Sequence, residues 1–476
     1  MTNSGKQSVT LFAFLASLFI AFIGVAVVTG QYLLVIVPFA LLLFVAGWQN
    51  KNQVFFLLIA ALPFSVEYNF SPGLGTDIPD EFLMLLVSLV FFASWLHSPR
   101  SVSKDIRQHP LLFLLVPVVC WWIITIIFSS DPQVSVKYLL AKSWYLGAFV
   151  LAPLLVFTGK KSITITGLLL AGSMLVVAAI ALLRHSGDGF SFATTSDAVS
   201  PFFRNHVNYS ALLVCTLPIW VAFFQLTPRK KERVVVAGII AFVLLALYFS
   251  YARGAWLALL AGGIAWWLIK KRLLLYSYLV AVTLAICLLF WVKSNDRYLD
   301  YAPDYTTTIF HKDFNEHFVA TYQLKDLSTA ERLYRWVAGV RMIKENWLTG
   351  YGPNTFYDNY RGYTVPAYKT WVSDNPEHST VHNYFLLTAV EQGIPGLLFF
   401  LILLGAMLYY AQYLYQRVTD LFYKTLALIT GVMLVMIIVL NSLSDLIETD
   451  KIGSLFFLCL SLLIITDITN RKTTNL

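Results

Sequence analysis

The chain has 476 residues, 58% of them hydrophobic and only 13% charged, with a mean hydropathy of +0.69. A soluble protein of this length cannot hide that much apolar surface, so the composition excludes one and predicts a polytopic membrane protein. The formal net charge of +8 gathers in short loops on one side of the expected bundle, which makes it a topology signal and excludes nucleic acid as an expected partner.

In chain order, apolar runs predict spans over residues 9–29, 31–48, 54–67, 80–96, 110–128, 136–157, 162–183, 206–225, 233–251, 254–269 and 273–292. Further spans follow over 382–416, with a break at Gly393 to Gly396, and over 423–441 and 452–468. The expected fold is all-α, a transmembrane helical bundle of about 12–14 spans with one large extracytoplasmic loop containing helices. The first run, Val9 to Thr29, lacks a small-residue cleavage site and leads almost directly into the next, so it is expected to be a retained helix. Four regions are expected: N-terminal spans 1–200, a second set of spans 201–292, the loop domain 293–380 and the C-terminal spans 381–476.

Basic residues set the orientation. Arg100, Lys104 and Arg107, then Lys160 and Lys161, then Arg229 to Arg233, then Lys270 to Arg272, then Arg471 and Lys472 all fall on one side of this path, expected to be cytoplasmic. The other side receives the loop Arg184 to Asn205, the turn Tyr251-Ala252-Arg253-Gly254, the long polar stretch Lys293 to Thr380, and the segment around His382. Cys120, Cys215, Cys287 and Cys459 all lie in apolar runs, where thiols pack as small hydrophobes, so no disulfide framework is expected.

The long loop starts with an aromatic, Asp-rich run, DRYLDYAPDYTTT. Ser328 to Glu331 has capping-box spacing, and Leu333, Trp336, Val337, Val340, Ile343 and Trp347 recur at three- and four-residue steps, which predicts an amphipathic helix ending at LTGYGPN. Arg332 then falls in the first turn, where the helix dipole favours an anion over a cation. Gly350 and Gly352 form a Gly-x-Gly after this helix, a pattern more often a C-cap and turn than a phosphate loop.

Arg253 between two spans reads either as an arginine snorkelling to the headgroups or as an anion ligand at the outer face. Arg332 reads either as a solvated helix-surface charge or as a phosphate ligand. His378, His382, Asn383 and Glu391 gather where the loop re-enters the membrane. Histidines at i and i+4 with a glutamate suit zinc, but the pattern is not HExxH and Glu391 lies two to three turns on, so the expected metal is none. A histidine at a membrane surface can exchange protons with water while facing a lipid-borne substrate, which makes His382 the candidate for chemistry.

ARGAWLALLAG, ERLYRWVAGVRMIKENWLTGYGPNTF and HNYFLLTAVEQGIPGLLFF, in this order, resemble the O-antigen ligase and polymerase superfamily of bacterial membrane glycosyltransferases. RNHVNYSALLVCTLPI, with Asn205, His206 and Asn208, is similar to that family's Asn-rich start of a span, and the resemblance covers roughly residues 200–410. It implies that Arg253 and Arg332 bind the diphosphate of an undecaprenyl-diphosphate-linked glycan and that His382 promotes transfer to an acceptor hydroxyl. Asn383, Asn205, His206, Asn208, Gly350, Gly352, His378 and Glu391 would support them. No cofactor is implied, and the site would face the periplasm from the bacterial inner membrane.

The resemblance leaves the acceptor open. Lipid A core is favoured by the single long loop near the C-terminal spans, a second lipid-linked glycan would make the enzyme a polymerase, and a protein hydroxyl would make it an O-oligosaccharyltransferase. A lipid-linked saccharide flippase is the alternative from another class, disfavoured because the span centres carry almost no ionisable residues and the two halves do not repeat.

Overall fold

The computed structural model describes residue 17 and residues 36–71, 74–293, 327–365, 373 and 380–474. The expected span 9–29, the Asp-rich start of the long loop and His378 lie outside the described residues. The rest is a bundle of apolar helices. The helices used below are α1 (Ile36–Gln49), α2 (Lys51–Ala61), α3 (Asp80–His97), α4 (Pro110–Ile127), α5 (Pro132–Leu146), α6 (Lys160–Gly187), α7 (His206–Leu226), α8 (Lys230–Tyr248), α9 (Arg253–Lys270), α10 (Leu274–Lys293), α11 (Leu327–Glu345), α12 (Tyr384–Arg417), α13 (Leu421–Leu443) and α14 (Asp450–Thr474). Among the described residues, 8 helical segments are long and apolar enough to cross a bilayer, and shorter apolar helices accompany them. The chain is thus a multi-pass membrane protein, as its composition requires. All four cysteines are free thiols, as their apolar settings suggested.

Helices that are apolar all round belong in the middle of a bundle. α13 packs against α7, α9, α12 and α14. Small residues let these helices approach closely, as is common where lipid supplies no hydrophobic drive for association. A Cβ on Gly262 of α9 would stand 2.2 Å from Met436 Cε, and one on Gly431 would stand 2.8 Å from Ile269 and 2.9 Å from Ala411.

The basic loops share one end of the bundle. There Lys160 pairs with Asp420 at 2.6 Å, before the start of α13, and Arg471 pairs with Asp467 at 2.6 Å near the end of α14. The opposite end holds the C-terminus of α13, the N-termini of α9, α12 and α14, and a hairpin absent from the sequence-based expectation. Its strands β1 (Val66–Ser71) and β2 (Leu74–Ile78) pair antiparallel, with Val66 opposite Ile78 and Tyr68 opposite Thr76. Two runs flanking Pro72-Gly73 are a hairpin signal, hidden here between long apolar segments that dominate the pattern.

α12 breaks where expected. Gly393 has φ 70° and ψ 177°, with Pro395 two residues on. A broken helix in a bilayer must find partners for its freed backbone groups. Here the carbonyls of Val390, Glu391 and Gln392 accept from Tyr351 N (3.0 Å), Gly352 N (2.9 Å) and Trp121 Nε1 (2.7 Å), and Ile394 N donates to Trp347 O at 2.7 Å. The Gly-x-Gly turn is therefore a clamp on the break. Gly350 (φ 67°) and Gly393 leave no room for a Cβ, which would stand 2.4 Å from Glu391 C and 2.2 Å from Leu348 O respectively. Gly393→Ala is expected to cost at least about 3 kcal/mol, from a left-handed residue plus a backbone clash. The check is its melting temperature in detergent, which should fall well below that of Gly362→Ala, because a Cβ on Gly362 meets nothing within 4 Å.

The loop helix differs from its predicted register. α11 is already helical at Leu327, so Ser328 is inside it, the capping box is not formed, and Arg332 lies beyond the first turn. Glu331 instead pairs with Arg335 at 3.0 Å and accepts from Ser373 Oγ at 2.6 Å. The buried face is Glu331, Tyr334, Arg335, Ala338 and Met342, whereas Val340 and Trp347 are 39% and 57% exposed. Close approach to α12 selects the small residues. A Cβ on Gly339 would already meet Val390 at 3.3 Å and Leu386 at 3.4 Å, while Leu333, Trp336, Val337 and Ile343 of the predicted stripe pack half-buried beside this face.

Candidate functional site

The C-terminal end of α13 is the hub of the candidate site. Asn383 caps α12 by accepting from Leu386 N at 3.0 Å and donates to Ser442 O at 3.0 Å, while Tyr384 N donates to Ser444 O at 3.0 Å. These bonds fix the start of α12 to residues 442–444. From the other side, the N-terminus of α9 reaches the same place, with the Cβ position of Gly254 3.6 Å from Leu443 Cδ1. The turns that carry His382 and Arg253 therefore meet at one end of α13.

His382 sits in the left-handed region at φ 52°. For a residue with a Cβ this conformation costs about 1–2 kcal/mol, so surrounding bonds must hold it. Trp336 Nε1 donates to Val381 O at 2.9 Å, Arg335 Nη1 to Thr380 O at 3.3 Å, and His382 N to Thr380 Oγ1 at 3.4 Å. Thr380 Oγ1 donates to Asp445 Oδ2 at 2.5 Å, and Asp445 Oδ1 lies 4.0 Å from His382 Nδ1. That last separation exceeds a hydrogen bond, and such contacts commonly tighten when substrate binds. The His382 side chain is 33% exposed, so it is open to a ligand.

The electrostatics keep this histidine neutral. Burial first, then the guanidinium charges of Arg335 and Arg332, push its pKa from the usual 6.5 down to about 3. Burial raises the Asp445 carboxyl above its ordinary value. Both directions oppose an ion pair in the resting site, so the pair forms only when the imidazole gains a proton.

Arg332, one turn before Arg335, places its charge on this site and has its Nε shielded from solvent. Arg335 is committed to Glu331 and the Thr380 carbonyl. Arg253 is the first residue of α9, after Tyr251 at φ 52° and the extended Ala252, and its Nη1 is shielded too. The dipole penalty expected at Arg332 thus falls on Arg253 instead. A cation at a helix N-terminus is unfavourable, and an anion bound there would relieve it.

The supporting residues separate into two groups. Asn205 caps α7, accepting from Val207 N and Asn208 N at 3.0 Å each, and His206 Nδ1 lies 3.0 Å from Ser196 Oγ. Asn208 is half-buried in the first turn of α7. This loop rests on the Arg253 turn, because Tyr251 OH donates to Phe190 O at 2.8 Å and Phe190 stacks on Phe249 at 4.1 Å. Glu391 and the two glycines serve the break in α12. Glu391 Oε1 accepts from Phe356 N at 3.1 Å, which commits it to the glycine turn. Sequence reasoning missed Asp445 and Thr380; an aspartate ending the apolar run of α13 was the available signal.

Residues 237–401, which include Arg253, Arg332 and His382, match the family described as O-antigen ligase. A protein named O-antigen ligase from Salmonella typhimurium is 28% identical over 203 residues, covering 41% of this chain and 44% of the relative. The match thus spans less than half the length of the relative. Over this region, which carries the ordered motifs, the chain is similar to O-antigen ligases.

Proposed function

We propose that the protein transfers a glycan from a polyprenyl-diphosphate donor to an acceptor hydroxyl at the outer end of the bundle, with lipid A core as the acceptor. The observation that carries this reading is a neutral, partly open His382 held in a left-handed turn beside Asp445, with Arg332 close by and Arg253 on the same end of α13. Arg253 and Arg332 hold the diphosphate and stabilise the charge that develops as the glycosidic C–O bond breaks. His382 takes the proton of the acceptor hydroxyl, and direct displacement inverts the anomeric carbon. Asp445 orients the ring and stabilises the imidazolium as it forms.

Two guanidinium groups suffice for the leaving group, so transfer itself needs no metal. The family match over residues 237–401 and the name of the Salmonella relative support a ligase. The packing of residues 190–206 around the Arg253 turn favours, as a second reading, a second lipid-linked glycan as acceptor. The four-part division of the chain, the inner membrane and a periplasmic site belong to the same proposal.

In a purified transfer assay with lipid A core or a lipid-linked repeat offered separately, one glycan added to core supports the ligase and a ladder of lipid-linked products the polymerase. Absence of product with either acceptor would overturn both. The pH profile is a second check. A histidine whose pKa is lowered keeps its basic form as pH falls, so kcat/KM, which reports free enzyme, is expected to stay flat from pH 8 to about 5. Bound diphosphate raises that pKa, so the acid limb of kcat should lie at higher pH. An acid limb near pH 6.5 in kcat/KM would contradict the low value.

A further inference from the structure

We propose that Asp77, Asp80 and Asp450 hold a hard divalent cation, Ca2+ or Mg2+, that ties the β1–β2 hairpin to the bundle. Each offers a carboxylate oxygen, and these oxygens lie within 4.8 Å of one another. Oxygens on opposite sides of a Ca2+ ion at about 2.4 Å stand about 4.8 Å apart, so the cluster has the span of a coordination shell. The three residues come from β2, the first position of α3 and the first position of α14, so that the last is far from the other two in the chain.

A second observation points to a ligand. Asp80 is 0% exposed, and its Oδ1 accepts from Ser65 Oγ and from Glu81 N at 2.9 Å. Its Oδ2 is sealed from solvent with no hydrogen-bond partner among the described residues. A buried carboxylate oxygen left without a donor is costly, and a cation at the cluster would satisfy it. The local charge agrees. Lys451 is the ammonium beside the cluster, fixed by Ser65 O at 3.0 Å and by Phe202 O. It offsets only one carboxylate, and the neighbouring Glu81 adds to the negative charge that a divalent ion would meet. Tyr145 OH donates to Asp450 Oδ1, holding that carboxylate in place. The ion is structural; no step of the proposed transfer passes through it.

Isothermal titration of the chelator-stripped full chain in detergent with Ca2+, and separately with Mg2+, tests this without reference to transfer. One saturable ion per chain is expected, together with a rise in melting temperature. Asp77→Asn and Asp450→Asn should each weaken binding at least tenfold and remove that rise. Absence of saturable binding by the wild-type chain would overturn the proposal. Wild-type affinity in both variants would also overturn it.

Discussion

His382→Asn is expected to reduce transfer by about 10^2–10^4-fold while leaving donor binding close to wild type, the loss typical of removing a positioned general base. Asparagine is the informative substitution because it tolerates the left-handed conformation that His382 adopts at φ 52°. Alanine removes the base too, but adds backbone strain in a turn that sets the start of α12. Comparing the two separates chemistry from folding. The measurement is kcat alongside donor affinity and melting temperature. An unchanged kcat in His382→Asn would remove the residue from the reaction.

Arg253→Ala and Arg332→Ala are each expected to lower transfer by about 10^2–10^3-fold, since on the proposed mechanism each charge holds the leaving diphosphate. Unlike the histidine variant, they should also weaken donor binding, because a diphosphate is anionic before the bond breaks as well as after. Lysine should restore part of the loss at either position, as it keeps the charge but loses the bidentate fork. Donor titration against a polyprenyl diphosphate reads the difference directly. Wild-type affinity in both alanine variants would place the diphosphate elsewhere.

Much of the fold was legible in the sequence. Apolar runs marked the described helices, the Lys and Arg clusters fell at one end of the bundle, and Gly393 broke α12 as its sequence suggested. The turns that carry Arg253 and His382 were legible as helix starts because those signals are local. What failed depended on tertiary approach. Of the stripe predicted on α11, Leu333, Trp336, Val337 and Ile343 do pack half-buried against the core, but Val340 is exposed, because contact with α12 demands small residues and turned Ala338 and Gly339 inward. The capping box lost to a longer helix in which Glu331 serves Arg335. Asp445 had no motif to mark it, since its meaning comes from Thr380, 65 residues earlier, and from the neighbouring His382.

The central claim is that one site, built on the outer end of α13, moves glycan from a polyprenyl diphosphate by base chemistry at His382. Its most direct test is single-turnover transfer by purified protein from a polyprenyl-diphosphate glycan to lipid A core, comparing wild type with His382→Asn at saturating donor. The account predicts an inverted product from the wild-type chain and none above background from the variant, with donor still bound. Transfer by the variant at the wild-type rate would contradict it.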